Sequence, residues 1–360
     1  MIDAPEEKGW DSHVMSTLRA FPTRKKNCYS IDMEGKTENS TFTVERVLVR
    51  ASFYYGNYDN KATPPTFNLQ FNGNSWTQIV THQDNIIYTE MVYSLIKGNN
   101  ISICLAQTQP NNIPFISALE VRSLDPYAYR YVNSNYHKYP LFFVERLAFG
   151  ANTTIRYSDD SRDRIWGPVH ANTRIKRNSP YRSVNIDDEP LDALRTTLAQ
   201  LQEVKINRSI PTMEAFDPRI NYDYPPTLVL RKPGMYSSGN MVYSGISDPK
   251  IPIHFNAYFA EPNTLNSTEI RSFNIFVNNK LYNTEGPIVP SRLTLEKVFI
   301  HNITSFAINS SYSIALVPTN DSTLPPLIIA LEGFTMGDKL VQGTNSSDGN
   351  SLDSLLSTNP

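Results

Sequence analysis

Phe67–Gly73 (FNLQFNG) and Phe273–Asn279 (FNIFVNN) are two spellings of one short phrase, 206 residues apart. In the first, Phe67, Leu69 and Phe71 alternate with Asn68, Gln70 and Asn72; in the second, Phe273, Ile275 and Val277 alternate with Asn274 and Phe276. A period of two is the signature of a strand with one buried face. The blocks around each phrase recur in the same order. RASFYYG (Arg50–Gly56), ISICLAQT (Ile101–Thr108) and PFISALE (Pro114–Glu120) are answered by NAYFAE (Asn256–Glu261), YSIALVPT (Tyr312–Thr319) and PLIIALE (Pro326–Glu332). Matched residues lie 206, 206, 211 and 212 positions apart along the series, so the chain reads as two copies of one module.

Within the first copy Val47, Val49, Ala51 and Phe53 are apolar, while Leu48, Arg50, Ser52 and Tyr54 fall between them. This predicts strands with one buried and one wetter face, as in antiparallel sheets stacked face to face. Composition agrees. The chain has 25 prolines, 15 glycines, 17 Phe and 20 Tyr, which favours strands joined by stiff loops. The predicted class is all-β, two tandem sandwich lobes. At roughly 150 residues per domain, 360 residues also suggest two lobes. One segment argues for helix: Asp187–Val204, with Pro190 early and Leu191, Leu194, Leu198 and Leu201 at helical spacing, predicts a short connecting helix. The expected division is a first lobe over 1–140, a second with the connection over 141–337, and a flexible Ser/Asn/Gly-rich tail over 338–360.

With 33 Lys and Arg against 35 Asp and Glu the net charge is −2, which excludes a strongly basic nucleic-acid binder. No apolar run reaches the length of a membrane span, and the first residues, MIDAPEEKGW, do not read as a secretory signal. Nine N-x-S/T sequons pull towards the secretory pathway: Asn39, Asn100, Asn152, Asn207, Asn266, Asn302, Asn309, Asn320 and Asn345 are glycosylation candidates. Cys28 and Cys104 are the only cysteines, either two buried thiols or one disulfide across a 76-residue span.

Several motifs carry a resemblance to a known family. RKKNCYSI (Arg24–Ile31), VRASFYYGNYD (Val49–Asp59), FNLQFNGNSW (Phe67–Trp76), PFISALEVRSL (Pro114–Leu124) and RYSDDSRDRIWGP (Arg156–Pro168), with the repeats of the second copy, resemble the malectin-like domain of plant leucine-rich-repeat receptor-like kinases. The resemblance covers roughly residues 15 to 335. It implies two malectin-type, jelly-roll-like sandwiches, an extracellular or plasma-membrane-associated location, an oligosaccharide or a peptide or protein as ligand, and a co-receptor. The opening strand and signal peptide that such ectodomains carry do not precede the NCY block. The Gly-Asp-Pro-Cys motif, leucine-rich repeats, membrane span and kinase that follow in the family are not in this sequence, so it reads as an ectodomain part.

Catalytic signatures are missing. There is no phosphate-cradling Gly-rich loop with its paired lysine, and the six histidines show no zinc spacing. GFTMG (Gly333–Gly337) has the outline of a nucleophile elbow without a partner His or acid. Asp159, Asp160 and Asp163 have the spacing of a cation loop, but Arg162, Arg164 and Trp166 beside them favour a braced turn. No cofactor, metal or enzymatic activity is expected. The remaining chemistry is recognition. Rings that stack on sugar C–H faces and amides or carboxylates that take hydroxyls occur together at Tyr54, Tyr55, Asn57, Tyr58 and Asp59, the expected ligand-contacting loop. A second aromatic group, Tyr127, Tyr129, Tyr131, Tyr136 and Tyr139, is expected to pack between the lobes. The alternative to a recognition module is a structural spacer or a truncated receptor fragment without ligand.

Overall fold

The repeated blocks form strands, and Thr66–Phe71 and Ser311–Pro318 keep the period of two in their burial. The computed structural model describes residues 12–37, 40–43, 45–95, 100–129, 139–169, 201–202, 223–230, 234–236, 241–246, 248, 250–291, 295–304 and 311–340. Among these the only helices are two of four residues, Ser12–Met15 and Thr227–Leu230. The described chain divides after Phe142 into two compact units; the second takes in Phe143 to Thr335, and Met336 onward groups with the first.

The first unit is built from β1 (Lys26–Ile31), β2 (Arg46–Phe53), β3 (Thr66–Phe71), β4 (Asn74–Val80), β5 (Ile87–Ser94), β6 (Ile101–Gln107) and β7 (Ala118–Leu124). One sheet has the order β1-β6-β3-β4 and the other contains β7-β2-β5, with antiparallel pairing throughout. The second unit uses β8 (Leu141–Ala148), β9 (Met241–Ile246), β10 (Ile253–Phe259), β11 (Phe273–Val277), β12 (Lys280–Leu281), β13 (Glu296–Ile303), β14 (Ser311–Pro318) and β15 (Ala330–Met336). Its sheets run β9-β14-β11-β12 and β8-β15-β10-β13. Apart from β8, which has no counterpart in the first unit, the strand orders match position by position, so the sequence repeat is a repeat of topology.

The match extends to side chains. Phe53 and Phe67 meet edge to face across the first sandwich at 5.6 Å, and Phe259 and Phe273, each 206 residues on, do the same across the second at 5.5 Å. Both hairpins after the FN phrase turn on two left-handed residues, Asn72 and Gly73 (φ 46° and 77°) and Asn278 and Asn279 (φ 48° and 64°), as the right-handed twist of the strands requires. Asn72 Oδ1 accepts from the Ser102 amide at 2.8 Å, and Asn278 Oδ1 accepts from the Ser313 amide at 2.9 Å. An asparagine ends the phrase because it both tolerates positive φ and clasps the neighbouring strand.

Two expectations need correction. Every residue of β2 is buried, so its second face is not wet: Arg50 is fully buried because its neighbours in register, Glu90 and Glu120, neutralise it. The helix expected over 187–204 lies outside the described residues except for Leu201–Gln202, which pair as a short strand with Tyr236 and Met235. At those two positions the backbone is paired in a sheet and not helical. Residues 1–11, where an opening strand would fall, and 341–360 of the expected tail also lie outside the described residues.

Candidate functional site

The tyrosine-rich loop leaves β2 at Tyr54 and is shaped by a cluster of left-handed residues. Gly56, Asn57, Asn60 and Ala62 have φ of 49°, 50°, 56° and 52°. Amides of Tyr58 and Asn60 donate back to the carbonyls of Tyr55 and Asn57 at 3.1 and 3.0 Å, and Gly56 donates to Gln83 at 3.1 Å. The loop is thus a wound, self-bonded turn.

Its side chains are spent on the same task. Tyr54 is buried against Met15 and Ile86, and its amide donates to Ser117 Oγ at 3.0 Å. Tyr55 is fully buried; its ring lies 6.2 Å from Phe115 and 5.6 Å from Tyr58, and its hydroxyl donates to Asp59 Oδ1 at 2.5 Å. Burial, reinforced by that carboxylate, pushes the Tyr55 phenol up to about 12. Asn57 Oδ1 accepts from the Ala62 amide at 2.8 Å. Tyr58 is half-buried, 5.6 Å from Phe115, and burial raises its phenol too. Tyr54 and Tyr55 are therefore packed as core residues, where burial of two large rings is favourable. Of the five expected contacts, Asn57, Tyr58 and Asp59 keep part of their surface in solvent.

The equivalent loop of the second unit has none of the left-handed residues of the first and a different chemistry. Glu261, 206 residues after Tyr55, is buried and accepts from Arg271 Nε at 2.7 Å and from the Asn263 amide at 3.1 Å. An ion pair replaces the aromatic brace.

The RYSDDSRDRIW motif proves to be a brace. Asp160 Oδ2 accepts from Arg164 Nε and from Trp166 Nε1, each at 2.8 Å, and Arg156 reaches Asp163 at 3.1 Å. Arg164 donates onward to the carbonyls of Asp223 and Tyr224 at 2.7 and 2.6 Å, tying the motif to the segment before Thr227. Asp159 is exposed. Among the described residues no three His, Cys, Asp or Glu side chains are grouped to hold a metal ion.

Cys28 and Cys104, partners in register on β1 and β6, form a disulfide. Of the second aromatic group, Tyr129 is buried, Tyr127 is exposed and Tyr131 and Tyr136 lie outside the described residues. Pattern reading missed the buried charges: Arg50 with Glu90 (2.5 Å) and Glu120 (3.0 Å), and Arg146 with Glu332 (2.5 Å). A signal for them exists in the repeat, because Glu120 and Glu332 close the matching ALE blocks.

The tandem sandwich thus carries a tyrosine-rich loop and an acidic motif that are each braced from within. The malectin-like domain model matches residues 1–336, and the chain belongs to that family. It is 29% identical over 335 residues to a receptor-like protein kinase of Arabidopsis thaliana, an alignment covering 92% of this chain and 33% of the kinase. The chain thus spans about a third of that relative's length. Among solved structures, the plant receptor-like kinase FER superposes with a TM-score of 0.64 at 18% identity, covering 96% of this chain and 89% of that one. The ANX2 ectodomain from Arabidopsis thaliana gives 0.65 at 15% identity, covering 96% and 90%. No helix among the described residues is long and apolar enough to cross a membrane.

Proposed function

We propose that this chain is a non-catalytic extracellular recognition module of a receptor, and that it binds a peptide or protein ligand together with a co-receptor. The observation that carries the choice of ligand class is the internal commitment of the Tyr54–Asp59 loop. Sugar binding by stacking needs an open ring face with free polar groups beside it, whereas Tyr54 and Tyr55 are buried and the Asn57 and Asp59 side chains already accept hydrogen bonds from the loop. A peptide needs neither, since it is read by backbone hydrogen bonds and pockets on rigid loops. A further support is that a solved structure of this fold is that of the plant peptide RALF23 in complex with FER and LLG2, with a TM-score of 0.60 at 17% identity. The non-catalytic part rests on the carboxylates: the buried Glu90, Asp160, Asp163, Glu261 and Glu332 and the partly buried Glu120 are each paired with an arginine, which occupies them.

The test presents the purified, secreted chain to a panel of secreted plant peptides by interferometry and to an array of cell-wall oligosaccharides. Saturable peptide binding, strengthened by a co-receptor, is the expected result. Saturable binding of one oligosaccharide that disappears in Tyr58→Ala would sink the proposal in favour of carbohydrate recognition.

A further inference from the structure

The RYSDDSRDRIW segment divides into residues that bind the molecule and residues that bind nothing. Arg156, Asp160, Asp163, Arg164 and Trp166 make the brace described above, and Arg162 is engaged as well. Tyr157, Ser158, Asp159 and Ser161 are all exposed, and their side chains have no hydrogen bond, ion pair or ring contact. The division follows from the turn. The Asp160 amide donates to the Arg156 carbonyl at 2.9 Å, closing a loop whose three central residues are Tyr157, Ser158 and Asp159, and the Asp160 side chain anchors that loop to Arg164 and Trp166. Tyr157 is left 70% exposed, more than any other large hydrophobic side chain among the described residues. A ring in water gains nothing from the fold. Held on a rigid turn it is prepared for a partner, because less freedom remains to be lost when the partner arrives.

Elsewhere the molecule shows what a ring beside a carboxylate takes. Arg146 pairs with Glu332 at 2.5 Å and lies 3.9 Å from the ring centre of Phe143. Arg164 pairs with Asp160 at 2.8 Å and lies 5.2 Å from that of Trp166. Lys297 pairs with Asp223 at 2.9 Å and lies 5.9 Å from that of Tyr224. Each time one cation satisfies a carboxylate and an aromatic face together, since attraction to the ring leaves its N–H groups free to reach the oxygens. Tyr157 and Asp159 supply the same ring and carboxylate, with Cα atoms at most about 7 Å apart, but the arginines of the motif are engaged elsewhere. The third member is missing from the molecule at this place.

We propose that Tyr157 and Asp159 form a docking point for an arginine of a peptide ligand, whose guanidinium lies on the Tyr157 ring and pairs with the Asp159 carboxylate. Arginine suits the place better than lysine, because its planar, weakly hydrated group stacks on a ring while its fork of donors meets a carboxylate. The proposal rests on the peptide-recognition reading above and adds which side chain of the ligand is read and where.

Short synthetic peptides that share one Gly-Ser frame and carry Arg, Lys, citrulline or Glu at the same positions are presented to the full secreted chain by interferometry. Saturable binding is expected for the Arg peptide, weaker binding for Lys, and none for Glu or for citrulline, which keeps the shape of arginine without its charge. Tyr157→Ala is expected to weaken the Arg peptide about fivefold and Asp159→Asn about threefold, while Tyr157→Phe, which keeps the ring, binds as the parent does. All three variants should melt with the parent, because these side chains hold nothing in the fold. Equal binding of the Arg and citrulline peptides overturns the proposal. So does unchanged binding in Tyr157→Ala, and so does a loss in Tyr157→Phe as large as that in Tyr157→Ala. Secreted peptides that bind parent and Tyr157→Ala alike refute the docking point and leave the function proposed above standing. Arg peptides held at Tyr157 by a chain that binds no secreted peptide do the reverse.

Discussion

Replacing both cysteines of the first unit by alanine removes a cross-link between β1 and β6, two strands that are neighbours in the sheet but 76 residues apart in sequence. The stabilisation acts mainly through the unfolded chain, whose entropy the closed loop restricts. For a loop of this length the chain-entropy relation gives about 4.5 kcal/mol at 25 °C. In a unit of this size each kcal/mol moves the midpoint by about 4 °C, so the loss corresponds to a fall of about 18 °C in Tm. The second unit contains no cysteine, which supplies an internal control. Hydrogen exchange followed by mass spectrometry should show protection falling in β1, β3 and β6 of Cys28→Ala/Cys104→Ala, with peptides from β10, β11 and β14 far less affected. Reduction of the native protein should reproduce the pattern. A double variant that melts within about 2 °C of the parent, or exchange that rises equally in both units, would refute the loop-closure reasoning.

Arg50→Ala leaves Glu90 and Glu120 facing each other in a dry sheet, and a loss of about 3–5 kcal/mol in urea unfolding is expected; an effect below 1 kcal/mol contradicts the charge accounting. His254 lies beside Phe299 and Phe334, its ring nearly parallel to both at 5.9 and 5.8 Å, and burial, with His301 adding to it, lowers its imidazole to about 4. The folded value lies below the unfolded one near 6.5, so the unfolded state binds more protons between the two. Stability is full above pH 6.5 and falls by roughly 3 kcal/mol as pH drops to 4, a slope that His254→Phe should flatten in denaturation curves taken across that window. Gly333 pairs with Phe255, and an added Cβ would stand 2.6 Å from that ring. Gly333→Ala is therefore expected to cost about 1–3 kcal/mol, read as a lower urea midpoint with unchanged m-value.

Much of the architecture was written in local pattern. A period of two in FNLQFNG and FNIFVNN records that one face of each strand meets a partner sheet, and because the pattern is spelled twice, the topology is repeated. The Asn-Gly and Asn-Asn turns are equally local, since φ above zero is a property of the residue itself. The RYSDDSRDRIW brace was legible for a related reason: donors and acceptors lie within ten residues of one another.

What the sequence by itself determined, then, is the set of strands, their turns and their duplication, all of which follow from interactions between near neighbours. Tertiary structure alone decided which polar residues are buried and which are free. Arg50 reads as a solvent residue until Glu90 and Glu120 arrive from strands 40 and 70 residues away. Tyr55 reads as an exposed ring until Phe115 packs beside it and its hydroxyl bonds Asp59. Asn302 reads as one sequon among nine until a bulge opposite His254 turns it outward. In each case the side chain is neutral on the question of its role, because burial and hydrogen-bond partnership are properties of a place in the fold, and that place is assembled from segments far apart along the chain.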